Sequence, residues 1–157
     1  MVTAFPRKIG STENVGVDVV RVIRGDIVDE LKIIKSSGVA RVVVDRCPTL
    51  LDAALYSDVV DVRDPHGALL KLLHGVLVDW DTAPGVAAAT SVLLGMEPET
   101  QFETLTSGRR QRAAQLVGYS VSTMARRKEA EFLTRFADEI LVRHRRSVLS
   151  ASGRAVG

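Results

Sequence analysis

Apolar residues recur along this chain at helical spacing rather than with the alternation of a half-buried strand. In the segment "PHGALLKLLHGVLVDW", Leu69, Leu70, Leu72, Leu73, Val76 and Leu77 fall on one broad face, as in an amphipathic helix packed on a core. Asp64 stands at the N-cap position and Pro65 in the first turn, where a missing N–H leaves nothing unpaired. Pro48 opens another such segment, "PTLLDAALYS". A third runs from Pro84 to Leu94 and stops at Gly95. A hairpin of helices over 107–146 completes the pattern.

The first third of the chain is ambiguous. Val19, Val22, Ile23, Ile27, Leu31 and Ile34 keep a helical period. Gly25 interrupts it, and Asp26 can cap a shorter helix starting there. "SSG" at 36–38 is a helix stop. The valines before Gly25, and "VARVVVDR" at 39–46, also suit strands. Two folds stay open: an all-α bundle, and an α+β fold with two short strands within 17–44. The all-α fold is favoured, because every segment after Pro48 is helical and helices need a neighbour to cover them. Residues 1–14 read as a flexible arm, 15–104 as an acidic helical region, 105–146 as a basic helical hairpin with a long last helix, and 147–157 as a frayed tail.

Charge sharpens that division. Residues 1–104 hold ten basic and fifteen acidic side chains, a balance of −5; residues 105–157 hold eleven and four, a balance of +7, which together make the net +2. Such a split suggests a polyanion partner for the basic half. Its plainer meaning is a solvated basic face, or basic residues paired with the acidic half. Arginine outnumbers lysine 16 to 5, the usage of a GC-rich coding genome first and of phosphate chemistry second. Aromatics make up only 4% of the chain, too few for a base-stacking platform. Cys47 is the single cysteine, which excludes an internal disulfide and fits a reducing cytoplasm. Residues 1–14 lack the apolar core of a secretion signal, and no apolar run reaches membrane-spanning length. A cytoplasmic protein with no membrane partner is expected.

Chemistry concentrates in "GRRQRAAQLVGYSVSTMARRKEAEF". A first helix ends at Gly118. Ala113 and Ala114 let another backbone come close, Tyr119 can tuck its ring against the hairpin, and Ser120 or Ser122 can cap a second helix. That order is a supporting helix, a tight turn and a helix with a polar first turn. "AAQLVGYSVSTMARR" resembles the helix-turn-helix of bacterial transcription regulators over about 20 residues. Ala114 matches its small packing position, Gly118 its turn glycine, Tyr119-Ser120 its apolar–serine pair and Thr123-Met124 its threonine–apolar pair. More broadly, "DELKIIKSSG", "VAAATSVLLGMEPET" and "RRQRAAQLVGYSVSTMARRKEAEFL" resemble, in that order, a small helical module of GC-rich bacteria that carries no defined activity. The resemblance implies an all-α helical bundle with a C-terminal helix-turn-helix.

Arg127 departs from the regulator pattern, which keeps an apolar residue three places after Met124. Helix phase raises a related difficulty. At about 100° per residue, Met124 differs from Phe132, Phe136 and Ile140 by roughly 80–160°. The segment 123–146 therefore either breaks near 128–131 or packs its halves against different partners, as a helix would that docks first on its own domain and further along on a dimer mate. If duplex DNA is the target, Ser122, Thr123, Arg126 and Arg127 meet base edges or nearby phosphates, and Arg109, Arg110, Arg112 and Lys128 hold phosphates. The expected function is DNA binding by a homodimer that regulates transcription. Its alternative is a helical adaptor docking on an acidic protein partner.

Other constellations carry less. Asp58, Asp61, Asp64 and His66 could line a metal site, but no second histidine or cysteine cluster completes it. His74 reads as a boundary residue, and His144 among arginines as solvated or phosphate-facing. Cys47 has no histidine near it in sequence, and no glycine-rich phosphate loop occurs. No enzyme activity, cofactor or metal is expected.

Overall fold

Three prolines each open a helix. In the computed structural model, which describes residues 23–57, 63–97 and 106–156, α1 is Arg24–Ser37, α2 Pro48–Ser57, α3 Pro65–Asp79 and α4 Pro84–Leu93. The basic half supplies α5, Thr106–Val117, then α6, Val121–Thr123, a π turn at Met124–Lys128, and α7, Glu129–Val156. The last three run on without interruption. No strand occurs among the described residues, so the fold is all-α. The arm at 1–14 and the valines up to Val22 lie outside the described residues.

The strand alternative fails over 39–44 for a visible reason. Gly38 takes φ +82, which turns the chain sharply after α1. The Val39 N–H then bonds the Leu94 carbonyl at 2.8 Å, beyond the end of α4. Two short 3₁₀ turns follow, Val39–Arg41 and Val44–Arg46. No strand among the described residues lies alongside to complete a ladder. Asp26 does not take the capping place expected of it. Ile23 occupies the N-cap of α1 in extended conformation and Asp26 lies inside the first turn, where its charge still suits the helix dipole.

Buried charges hold helix ends. Glu30, 6% exposed, reaches from α1 to the start of α2, where its carboxylate accepts the Thr49 N–H at 3.0 Å and the Leu50 N–H at 2.8 Å. These are first-turn donors with no intrahelical partner. Asp64 caps α3 as expected, accepting the Gly67 N–H at 3.0 Å.

The apolar faces meet in two clusters. The larger joins Ile27, Leu31 and Ile34 of α1, Leu50 and Ala53 of α2, Leu69, Leu72, Leu73 and Val76 of α3, and Leu133, Phe136 and Ile140 of α7. Trp80 stacks against Phe136, ring centroids 5.3 Å apart. The smaller joins Ala89, Val92 and Leu93 of α4, Ala113 and Ala114 of α5, and Met124 and Phe132. The long carboxy-terminal helix thus packs its two halves on different clusters of its own chain. Met124 and Phe132 share the smaller cluster, so both find their packing within this chain and need no dimer mate.

The helix also continues through the region expected as a tail, reaching Val156. No proline or glycine interrupts it before Gly153, and extending a formed helix adds a bond per residue without a new nucleation cost. No described helix is long and apolar enough to cross a membrane.

Two glycines give opposite expectations. Gly95 has φ +74, and a Cβ there would stand 3.0 Å from the Gly38 Cα. Gly95→Ala should lower stability by about 1–3 kcal/mol. Gly25 lies inside α1, and a Cβ added to it would meet nothing within 4 Å. Gly25→Ala should add about 0.4–1 kcal/mol. Urea unfolding midpoints measure both; equal shifts would contradict the close approach of Gly38 and Gly95. Cys47 is fully buried, and burial, then the Glu30 charge, push its thiol up to about 11 against the pull of Arg46. It should react with a thiol reagent at about pH 8, below its raised pKa, only on unfolding. Rapid native labelling would contradict its burial.

Candidate nucleic-acid interface

The turn between α5 and α6 is three residues, Gly118, Tyr119 and Ser120. Gly118 has φ +76 and open space around it, so glycine is there for its backbone angle alone. The Tyr119 N–H bonds the Ala114 carbonyl at 3.1 Å, the six-to-one closure that ends many helices. Ser120 is extended, with φ −72 and ψ 157, and its Oγ accepts the Thr123 N–H at 3.1 Å. Ser120, not Ser122, is therefore the cap. On the supporting side, a Cβ on Gly85 would meet the Leu116 carbonyl at 3.1 Å, so α4 and α5 lie backbone to backbone there. Ala113 and Ala114 are buried in the same contact region with Met124.

The π turn resolves the phase problem. The Glu129 N–H bonds the Met124 carbonyl five residues back, so the turn carries one residue more than a regular helix. Discounting that residue, at about 100° each, brings Met124 within roughly 20–60° of Phe132, Phe136 and Ile140. It also decides which polar side chain faces inward. A regular helix would turn Arg127 and Lys128 toward the core and Glu129 outward. Burying two cations without a partner is costly. With the extra residue, Glu129 faces inward and Ala125, Arg126 and Arg127 are all exposed.

Glu129 is 3% exposed and closes an ion cluster across three elements. Its carboxylate accepts from Arg110 Nε of α5 and from Lys35 Nζ of α1, the latter at 2.8 Å. Burial pushes the Glu129 carboxyl up, but the hydrogen bonds from Arg110 and Lys35 and their charges outweigh it, and the net shift is downward. Glu129 is thus the inward polar residue after Met124, while Arg127, three places after Met124, is exposed.

The eight residues expected to touch DNA separate into two groups. Arg109 is 0% exposed. Its Nε donates to the Leu93 carbonyl at 3.3 Å and its Nη2 to the Lys35 carbonyl, at the carboxy-terminal ends of α4 and α1, where a cation suits both dipoles. Arg109 is a structural clamp, and the phosphate role expected of it does not fit this position. Arg110 is engaged with Glu129. Lys128 pairs with Glu131 at 3.1 Å and lies 5.0 Å from the Tyr119 ring centroid, so the ring packs on Lys128 while staying 40% exposed. Arg112, Ser122, Arg126 and Arg127 are exposed and Thr123 is half-buried. Arg112, Arg126 and Arg127 form no ion pair with any described residue.

Elsewhere, basic and acidic residues pair across helices: Arg143 with Asp79 at 2.8 Å and Arg24 with Asp138 at 2.6 Å. His144 is not solvated among the arginines but buried, 5% exposed. Burial lowers its pKa, Asp52 raises it and Arg145 lowers it. His66 is engaged through Nε2 with the Val39 carbonyl at 2.8 Å, while Asp58 and Asp61 lie outside the described residues. Among the described residues, no three metal-ligating side chains converge.

Lys35 and Glu129 belong to this region although neither is among the residues expected to meet DNA. The signal for Glu129 is the helix phase itself, which disallows a regular turn after Met124; nothing in the sequence marks Lys35. Comparison with family models, curated proteins and solved structures gave no match.

Glu129→Ala should destabilise the protein by about 3 kcal/mol, because it leaves two cations facing a buried site. The downward shift of the Glu129 carboxyl contributes stability above the ordinary glutamate pKa, and this is lost as pH falls through the folded value. The variant should therefore show a shallower loss of stability between neutral and acid pH than the parent. Parallel acid profiles from urea unfolding would contradict the clamp.

Proposed function

We propose that this chain binds double-stranded DNA through the face formed by Arg112 of α5 and by Ser122, Arg126 and Arg127 of the helix after the turn, with Thr123 at its edge. The observation that carries the reading is the outward pair Arg126 and Arg127, which has no ion-pair partner among the described residues. Arg109, Arg110 and Lys128 nearby are engaged internally. Two outward guanidiniums on the helix that follows a tight glycine turn suit phosphates and guanine edges in a major groove. Transcription regulation, by a homodimer reading two half-sites about 34 Å apart, is the biological use that such a face serves. On this reading the chain acts by binding, and Cys47, buried and with its thiol pushed up to about 11, takes no part as a nucleophile.

The helical adaptor remains the rival. It is favoured by Tyr119 and Val121, 40% and 45% exposed, which leave apolar surface at the turn. An adaptor for an acidic protein would bind heparin in a salt-labile way and select no duplex sequence.

The test is selection of duplexes from a random pool, followed by binding against salt. Replacing Arg126 and Arg127 with Ala should weaken binding at least ~10-fold, as expected for two lost guanine contacts. If each meets a phosphate, the slope of log K against log salt should fall by about 1.8. Failure of the parent to bind DNA, or unchanged binding by the double variant, overturns the assignment.

A further inference from the structure

The π turn raises a question that packing alone does not answer. Its hydrogen-bond pattern is rare, and such turns concentrate at functional sites. Its surplus residue falls among Ala125, Arg126, Arg127 and Lys128. The inward residues of this region are Met124, Glu129 and Phe132. With one residue fewer between Met124 and Glu129, those three would stand at offsets 0, 4 and 7, the spacing of a plain α-helix face. A regular helix lacking one residue would therefore keep the Met124 and Phe132 contacts and the Glu129 ion cluster. The extra residue contributes nothing that packing demands.

What it changes is the outer surface. In the π turn, Arg126 and Arg127 stand two and three residues after Met124, and both are exposed. The turn is braced at its carboxy-terminal end: Glu129 is held by Arg110 and Lys35, and Lys128 by Glu131 and the Tyr119 ring. Just before those anchors the two arginines have no ion-pair partner among the described residues. We infer that the surplus residue of the π turn is a positioning device for DNA recognition, setting the angle at which Arg126 and Arg127 are presented together. This inference rests on the DNA-binding reading above. Removing one residue would swing the pair by roughly 40–60° about the helix axis. A long guanidinium displaced by that angle misses a base edge but still sits near a polyanion.

The test is deletion of Ala125 from the full chain, which leaves its charge unchanged. The variant is expected to keep its helical circular dichroism and to melt at or above the parent temperature. Its affinity for the duplex selected by the parent should fall at least ~10-fold, the scale of one lost bidentate base contact, with heparin elution unchanged. A folded variant that binds that duplex as the parent does overturns the inference and leaves the DNA reading standing. A parent that selects no duplex overturns both. If deletion of Ala125 prevents folding, deletion of Lys128 removes the surplus at the other end of the turn. It should fold and turn Arg127 inward, with the same loss of affinity. Failure of both deletions to fold overturns the claim that the turn carries a dispensable residue.

Discussion

One buried carboxylate, Glu129, joins three elements of the chain and sets the register of the last helix. It is buried between Arg110 of α5 and Lys35 of α1 and follows directly on the π turn. An isolated charge in that position would be intolerable, and a charge with two cationic partners is specific in direction. Rotating the helix by one residue would expose Glu129 and turn Arg127 and Lys128 inward. The ion cluster therefore fixes helix register, and register fixes which basic residues reach the surface. Arg126 and Arg127 are outward because Glu129 is inward.

The same logic recurs at other buried charges. Glu30 holds the free N–H groups at the start of α2, and Arg109 holds carbonyls at the ends of α1 and α4. Each is a side chain from one helix completing the end of another. Leucine, valine and alanine faces supply the burial, but they are forgiving about rotation and sliding. Charged side chains seated on helix ends are not. With few aromatics to act as shape-specific wedges, polar clamps define how the helices meet. Exposed pairs such as Arg24 with Asp138 add little beside them.

Much of the fold was legible where local rules and burial agree. Pro48, Pro65 and Pro84 mark helix starts, Asp64 its cap, Gly118 its turn, and the leucines of α3 their inward face. Legibility ended where a side chain's partner is distant in sequence. Arg109 and Arg110 are adjacent and identical, yet one is a buried clamp and the other an ion-pair partner, because their directions from α5 differ. Lys35 and Glu129 are 94 residues apart, and no spacing rule links them. The valines at 42–44 looked like a strand because propensity records the residue and not whether a neighbouring strand is there to pair with it. The π turn lies between these cases. Its need was visible as a conflict of phase between Met124 and Phe132, but its form was not, since a break and a bulge relieve that conflict equally well.

Nuclear magnetic resonance of the amide-labelled chain, titrated with a short duplex at moderate salt, tests most directly whether the face fixed by Glu129 is the one that meets DNA. The largest amide shifts are expected on Ser120 to Lys128 and around Arg112, with the amides of Arg109 and of α3 little changed. Shifts centred on α3 or on the acidic half, or none at all, would contradict it.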